Sequence, residues 1–186
     1  MLHLKFPRRY TPEQVLGSKF EIWVEELLKD NGYCFVRRNI IYHRDRYEFR
    51  QVDIDYREGF LWQTHTMVEC KYSSRGKVKL ALRETKSKTA QQIKAIDTIL
   101  DELEERRQFV KADNAILLTN QYFSPEVYRE AKQFPHLEVK DSCWLRELEK
   151  RRVGLWNGLF RRKSLEQQIA EIDLRRYELR PERVGM

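Results

Sequence analysis

The chain is 186 residues long, 41% hydrophobic and 35% charged, with nine Phe, nine Tyr and four Trp, a composition that excludes disorder and predicts one domain, or one domain with an appendage, around a real core. A formal charge of +7, from 36 Lys and Arg against 29 Asp and Glu, suits a polyanionic partner such as nucleic acid. Three cysteines without CxxC spacing and four scattered histidines speak against a disulfide framework or a zinc ribbon, no apolar run approaches the ~20 residues of a membrane span, and "MLHLKFPRRY" lacks a signal-peptide core, so a soluble protein of the reducing cytoplasm is expected.

The first predicted element is a helix opened by Thr11, Pro12 and Gln14 as N-cap, first-turn proline and capping-box residue, with Gly17 and Ser18 as a point where it could break and restart. Leu16, Phe20, Trp23, Val24, Leu27 and Leu28 recur at helical spacing, and "DNGY" supplies the stop. At about 100° per residue Glu21 falls close to Leu28 and Val24, at the boundary of the apolar arc, whereas Glu25 and Glu26 project further from it. "YCFVRRNIIYHRDRYEFRQVDIDY" then reads as strand, charged turn and strand. Regular alternation would put Val52, Ile54 and Tyr56 on one face of the second strand and Asp53 and Asp55 on the other, as in a half-exposed strand. A third strand, roughly Thr66 to Tyr72, carries Met67, Glu69 and Lys71 on one face and Val68, Cys70 and Tyr72 on the other.

After the loop "SSRGKVK", a helix from about Ser87 to Arg107 turns Ile93, Ile96, Ile99, Leu100 and Leu103 inward. "NAILLTN" is a continuous apolar run that suits a strand covered on both faces, as in parallel pairing. Ser124, Pro125 and Glu126 open a short helix through about Gln133, "LEVKD" is a strand and "SCWLRELEKRR" a helix. The order strand, helix, strand, helix, strand, helix favours a mixed α/β sandwich. "VGLWNGLF" reads as a linker, so residues 1–152 form the expected domain and 153–186 a basic tail. In that tail Ser164 and Gln167 open a helix with a stripe of Leu165, Ile169, Ile172 and Tyr177, flanked by Arg161, Arg162, Lys163, Arg175 and Arg176. The stripe could pack back on the domain, meet a second subunit or partner protein, or bring its arginines to phosphate.

Charges inside strands that otherwise read as core raise the question of chemistry. Asp53 and Glu69 on adjacent strands would supply anionic oxygens to a hard divalent cation, with the main-chain carbonyl of Cys70 as a further ligand. A metal so held polarises a phosphodiester and lowers the pKa of a bound water. Lys71, on the same face as Glu69, can position that water or steady developing negative charge. The competing reading is an exposed Glu-x-Lys pair worth at most ~1 kcal/mol.

The segments "GSKFEIWVEELLKDNGY", "QVDID", "VECKYSS" and "NAILLTNQYFSPEVYREAKQFPHLEVKDSCWLREL", from about Gly17 to Leu148, resemble the Mrr-like branch of the PD-(D/E)xK nuclease superfamily. The resemblance implies a restriction-endonuclease-like fold, an α/β mixed sheet flanked by helices, here with a C-terminal helical extension. It implies a catalytic set in which the first-helix Glu is Glu21, the strand Asp is Asp53, and Glu69 and Lys71 form the Glu-x-Lys. Gln51 and Val52 stand where many members have a glycine-rich approach, and Asp55 meets the same flanking pattern as Asp53, so register decides between them. A Gln on the helix after the motif implies Gln91 or Gln92.

The expected activity is a Mg²⁺- or Mn²⁺-dependent DNA endonuclease, a restriction or junction-resolvase-like enzyme, and the alternative is a DNA-binding or assembly module on the same fold. Arg75, Lys77, Lys79, Lys86 and Lys88 could contact phosphate or be solvated surface. Trp62 could stack on a base or pack locally. Cutting both strands needs two sites, so a homodimer is expected.

Overall fold

Helix α1 (Pro12–Asp30) starts where the sequence places its cap: the Thr11 hydroxyl accepts the Gln14 N–H at 3.3 Å and the Gln14 side chain accepts the Thr11 N–H at 2.9 Å. The structure, a computed structural model, describes residues 11–59, 61–74, 90–153 and 163–186, and among these the side chains of 90–98 and 152–153 are left aside. Gly17 and Ser18 do not interrupt α1, which ends at Asn31 with Gly32 at φ +82°. Its stripe of Phe20, Trp23, Val24, Leu27 and Leu28 packs on the sheet, and Ile22 is buried too.

Strands β1 (Cys34–His43), β2 (Phe49–Glu58) and β3 (Thr64–Lys71) form an antiparallel meander. Helix α2 (Ala90–Val110) leads to β4 (Asn114–Thr119), α3 (Pro125–Ala131) to β5 (Leu137–Lys140), and α4 (Ser142–Val153) follows. Both β4 and β5 pair in parallel, as the apolar run 115–118 anticipates. The six-stranded order is β5-β4-β3-β2-β1-β6, with β6 (Glu182–Gly185) parallel to β1. One layer packs Leu100, Leu103 and Phe109 of α2 and Val127 of α3 on Met67, Ala115 and Leu117. The other packs α1 and Leu145 and Leu148 of α4 on Ile54, Val68, Ile116 and Leu118. This mixed sheet between helices is the α/β architecture that the resemblance implies.

The regular alternation expected of β2 does not hold. Val52 joins Ile40 and Tyr42 in the α2 layer, whereas Ile54 and Tyr56 join Val36 in the α1 layer. Pairing keeps one register on either side, Arg38↔Ile54 and Ile40↔Val52. The exchange of faces therefore falls at Asn39 and Asp53, and Asn39 adopts φ +56°, a left-handed conformation that Asn tolerates better than most residues. Its amide holds the kink, donating to the Leu179 carbonyl at 3.0 Å while its oxygen accepts from Gln51 at 2.8 Å.

The β2–β3 connection turns on Gly59 at φ +104°, where an added Cβ would lie 2.5 Å from the Trp62 carbonyl oxygen. Gly59→Ala is accordingly expected to destabilise by about 1–3 kcal/mol, read as a lower denaturation midpoint with an unchanged slope. Trp62 is 90% exposed and Leu61 80% exposed, so the local packing role considered for Trp62 is withdrawn. This turn lies at the end of β3 opposite Glu69 and Lys71.

The tail is built differently from a helical appendage. Helix α5 (Leu165–Glu171), capped by Ser164 and Gln167, buries Ile169 completely and sets Leu165 and Ile172 against the α1 layer. Of the three destinations open to the stripe, it takes the domain itself. The helix stops before Tyr177 because Ile172 is extended and Asp173 caps a new 3-10 turn at Leu174–Arg176. The Tyr177 hydroxyl then donates to Glu26. Strand β6 follows on the edge of the sheet. The linker 154–160 and the arginines 161 and 162 lie outside the described residues. No helix among the described residues is long and apolar enough to cross a membrane.

Candidate active site

Three elements converge where β2 and β3 part company. Their pairing ends at Ile54↔Val68, and beyond it the Asp53 carboxylate takes over, accepting the Cys70 N–H at 2.8 Å. The displaced side chain is a consequence of the face exchange: Asp53 sits at the switch and reaches β3 rather than lying beside Asp55. Glu69 and Lys71 share a face of β3 as alternation requires, and Lys71 Nζ donates to Glu69 Oε1 at 2.7 Å. Glu21, from the third turn of α1, comes close enough to feel the charges of Asp53, Glu69 and Lys71. The four residues singled out in the sequence are thus brought together.

Their electrostatics are those of crowded, partly buried acids. Burial, then Asp53, raises the Glu21 pKa from 4.5 to about 8, against the opposing influence of Arg38. Burial and the neighbouring Glu69 also push Asp53 upward, only partly countered by the Cys70 hydrogen bond and by Lys71 and Arg106. Burial works against the charge of Lys71, but Glu69 outweighs it and keeps the ammonium protonated. Burial and the surrounding acids raise the Cys70 thiol well above its ordinary range, leaving it inert.

Asp55 belongs to a different construction. It is 1% exposed and accepts from Arg37 at 3.1 and 2.8 Å, from the Tyr42 hydroxyl, and from His65 at 3.4 Å. Burial tends to raise its pKa, but hydrogen bonds from His65, Arg37 and Tyr42 prevail and hold it low. The half-exposed strand imagined for Asp55 is corrected by this cluster, which satisfies a fully buried carboxylate from β1 and β3.

Three further residues shape the site, and of these only Asn120, which closes the "NAILLTN" run within the resemblance, carries a sequence signal. Arg106 of α2 donates to Glu69 Oε2; in "EERRQ" nothing separates it from Arg107, which pairs instead with Glu104. Arg38, 7% exposed at its side chain, donates to Glu25 at 3.0 Å and stands near Glu21. Asn120, buried at the end of β4, exchanges two hydrogen bonds with the Ser73 backbone, 2.7 and 2.8 Å, and so fixes the chain just beyond Lys71. The segment holding Arg75, Lys77, Lys79, Lys86 and Lys88 lies outside the described residues, as do the side chains of Gln91 and Gln92.

Among the described residues no three His, Cys, Asp or Glu side chains form a group ready to hold a metal ion. In the structure Asp53 is engaged by Cys70, and both oxygens of Glu69 carry cationic donors. Two carboxylates beside an open strand end nevertheless fit the donor chemistry of Mg²⁺, which takes few protein oxygens and keeps water, provided that Glu69 changes partners.

Comparison with known proteins adds the family. The restriction endonuclease family Mrr_cat matches residues 13–148. Among solved structures the chain is similar to AF1548, a protein of unknown function, with 15% identity and a TM-score of 0.45 over 68% of this chain and 58% of that one. It is also similar to AspBHI, a DNA modification-dependent restriction endonuclease (14%, 0.43, 87% and 39%). The third is the MspJI restriction endonuclease in complex with a 27-mer oligonucleotide (14%, 0.35, 70% and 27%). The chain spans 58% or less of each of these structures, and no curated protein matches it. The family match covers well over half of the sequence and every element from α1 to most of α4, so the chain belongs to the Mrr-like restriction endonuclease family.

Proposed function

We propose that the chain is a DNA endonuclease that hydrolyses phosphodiester bonds with Mg²⁺ or Mn²⁺ at Glu21, Asp53, Glu69 and Lys71. The observation that carries this reading is the meeting of Asp53 with the β3 segment Glu69–Lys71 at the point where the two strands separate. Asp53 and Glu69 would hold the cation. The Cys70 carbonyl joins them, since a strand residue directs its N–H and C=O to the same side and the Cys70 N–H already faces Asp53. When bound, the metal supplies Lewis-acid stabilisation of the phosphoryl oxygens and a more acidic water. Lys71, held charged by Glu69, orients the attacking water and offsets negative charge as it develops. Glu21, whose pKa burial raises to about 8 in the metal-free protein, adds a carboxyl from α1 to the site.

Two-strand cleavage asks for two such sites, hence a homodimer. Its interface does not use the α5 stripe, which is spent on the domain core. The non-catalytic DNA-binding reading is favoured by one feature, the capture of Glu69 by two cations.

The test is incubation of supercoiled plasmid, linear duplex and a four-way junction with Mg²⁺, Mn²⁺ or EDTA. Metal-dependent cutting, lost on Lys71→Ala by at least about 10²-fold, is the expected result, and the favoured DNA form ranks restriction against junction processing. Salt-sensitive DNA binding with no cutting under any metal would install the binding-module reading instead.

A further inference from the structure

The carboxylate of Glu69 holds two cations of different kinds. Lys71 sits two residues away on the same strand, so its bond to Oε1 at 2.7 Å is local and travels with Glu69. Arg106 reaches Oε2 from α2, 37 residues further along the chain. Among the described residues Glu69 is the sole acceptor recorded for its guanidinium, whereas Arg107 beside it is tied to Glu104 and to the Ala112 carbonyl. The pair lies at the rim of the site, with side-chain exposures of 14% for Glu69 and 23% for Arg106, so water and ions can reach it. A guanidinium there adds a second positive charge, beside that of Lys71, to a carboxylate crowded by Asp53 and Glu21. It also stands where a divalent cation held between Asp53 and Glu69 would meet a like charge.

We propose that Arg106 is a positioning residue that occupies Glu69 in the metal-free protein and is displaced from it when a divalent cation binds. The inference rests on the metal-dependent reading of this site. Arg106 and the metal exchange on one carboxylate, and each weakens the hold of the other. The released guanidinium then lies beside the site, where a phosphate of the substrate strand is the natural new acceptor. Metal and DNA therefore favour each other's binding through Arg106, and the coupling is reciprocal.

Calorimetric titration of Mn²⁺ into the full chain without DNA tests this, using wild type, Arg106→Gln, Arg106→Met, Arg106→Lys and Arg50→Gln. Arg106→Met keeps the aliphatic stem should the Gln variant fold poorly, and Arg50→Gln removes one charge near α2, where Arg50 pairs with Glu105, without touching Glu69. Arg106→Gln and Arg106→Met are expected to bind Mn²⁺ about fivefold more tightly or better, Arg106→Lys within about twofold of wild type, and Arg50→Gln as wild type. Adding duplex DNA with non-cleavable linkages should tighten Mn²⁺ binding in wild type and do so less in Arg106→Gln. Equal or weaker Mn²⁺ binding in both neutral variants overturns the exchange while leaving the metal site standing. Equal tightening by Arg50→Gln overturns it too, because the effect is then one of general charge. Absence of Mn²⁺ binding in wild type and variants alike removes both this inference and the metal-dependent reading beneath it.

Discussion

Asp53→Asn is expected to reduce cleavage by at least about 10³-fold and, in the same protein, to raise the melting temperature of the metal-free form at pH 8 by a few degrees. The loss follows from removing an anionic oxygen from the proposed metal site. The gain follows from the same crowding: Asp53 is pushed upward by burial and by Glu69, so its charge is a cost that folding bears until a cation arrives. The amide keeps an oxygen for the Cys70 N–H and drops the charge. Glu21 gives the pH dependence. Its pKa stands at about 8 in the folded protein against an ordinary 4.5, so between those values the native state holds a proton that the unfolded chain has released. Stability from this group is complete below about 4.5 and lost as pH rises towards 8. Thermal melts in EDTA should therefore fall across that window, and Mn²⁺ should restore more at pH 8 than at pH 6. A metal-free Asp53→Asn protein that melts below wild type at pH 8 would refute the claim of electrostatic strain.

Asp55→Ala, two residues away, is expected to do the reverse and to cost about 3 kcal/mol, or roughly 10 °C in melting temperature for a chain of this size. Arg37, Tyr42 and His65 all aim at the Asp55 carboxylate, and its removal leaves their polar groups without the acceptor around which they are arranged. The estimate sits at the low end for a broken buried pair because the Arg37 side chain is 35% exposed and can recruit water. The sign with pH is opposite to that of Glu21. Asp55 is held below its ordinary value of 3.8, so its contribution is present above about pH 4 and disappears as acid protonates it. Denaturant unfolding at pH 7 should show the full loss in Asp55→Ala, and the difference from wild type should narrow as pH falls below the ordinary 3.8. A stability change under about 1 kcal/mol at pH 7 would mean that the cluster is replaceable and that Asp55 has no structural hold on β1.

What the sequence disclosed about the site depended on regular geometry. Glu21 was legible because α1 is uninterrupted and helical arithmetic places it beside Val24 and Leu28; Glu69 and Lys71 were legible because β3 alternates without fault. Asp53 could not be told from Asp55 by alternation, because the distinction arises from the face exchange at Asn39, and a left-handed Asn within "VRRNIIYH" has no periodic signature. Arg106 was hidden for another reason. Its role depends on which of two adjacent arginines a helix turns toward the sheet, and the charged run around it masks the phase. Strand β6 has only four residues, preceded by Pro181 and mostly exposed, so no apolar pattern marked it. The parallel strands and the α1 and α4 stripes, by contrast, are buried by long apolar repeats and were plain.

The pairing of β6 with β1 sets an order on folding. The four proposed site residues fall between positions 21 and 71, and the hairpins that carry three of them close over short loops. The Arg37–Glu182 contact that accompanies β6 closes a loop of 145 residues, and such a closure is entropically costly and slow relative to a hairpin. Until it forms, β1 presents a row of unpaired backbone groups to its surroundings. A newly made or heat-loosened chain therefore has an adhesive strand edge next to a meander that is already in place, and intermolecular strand pairing at β1 is the misassembly most open to it.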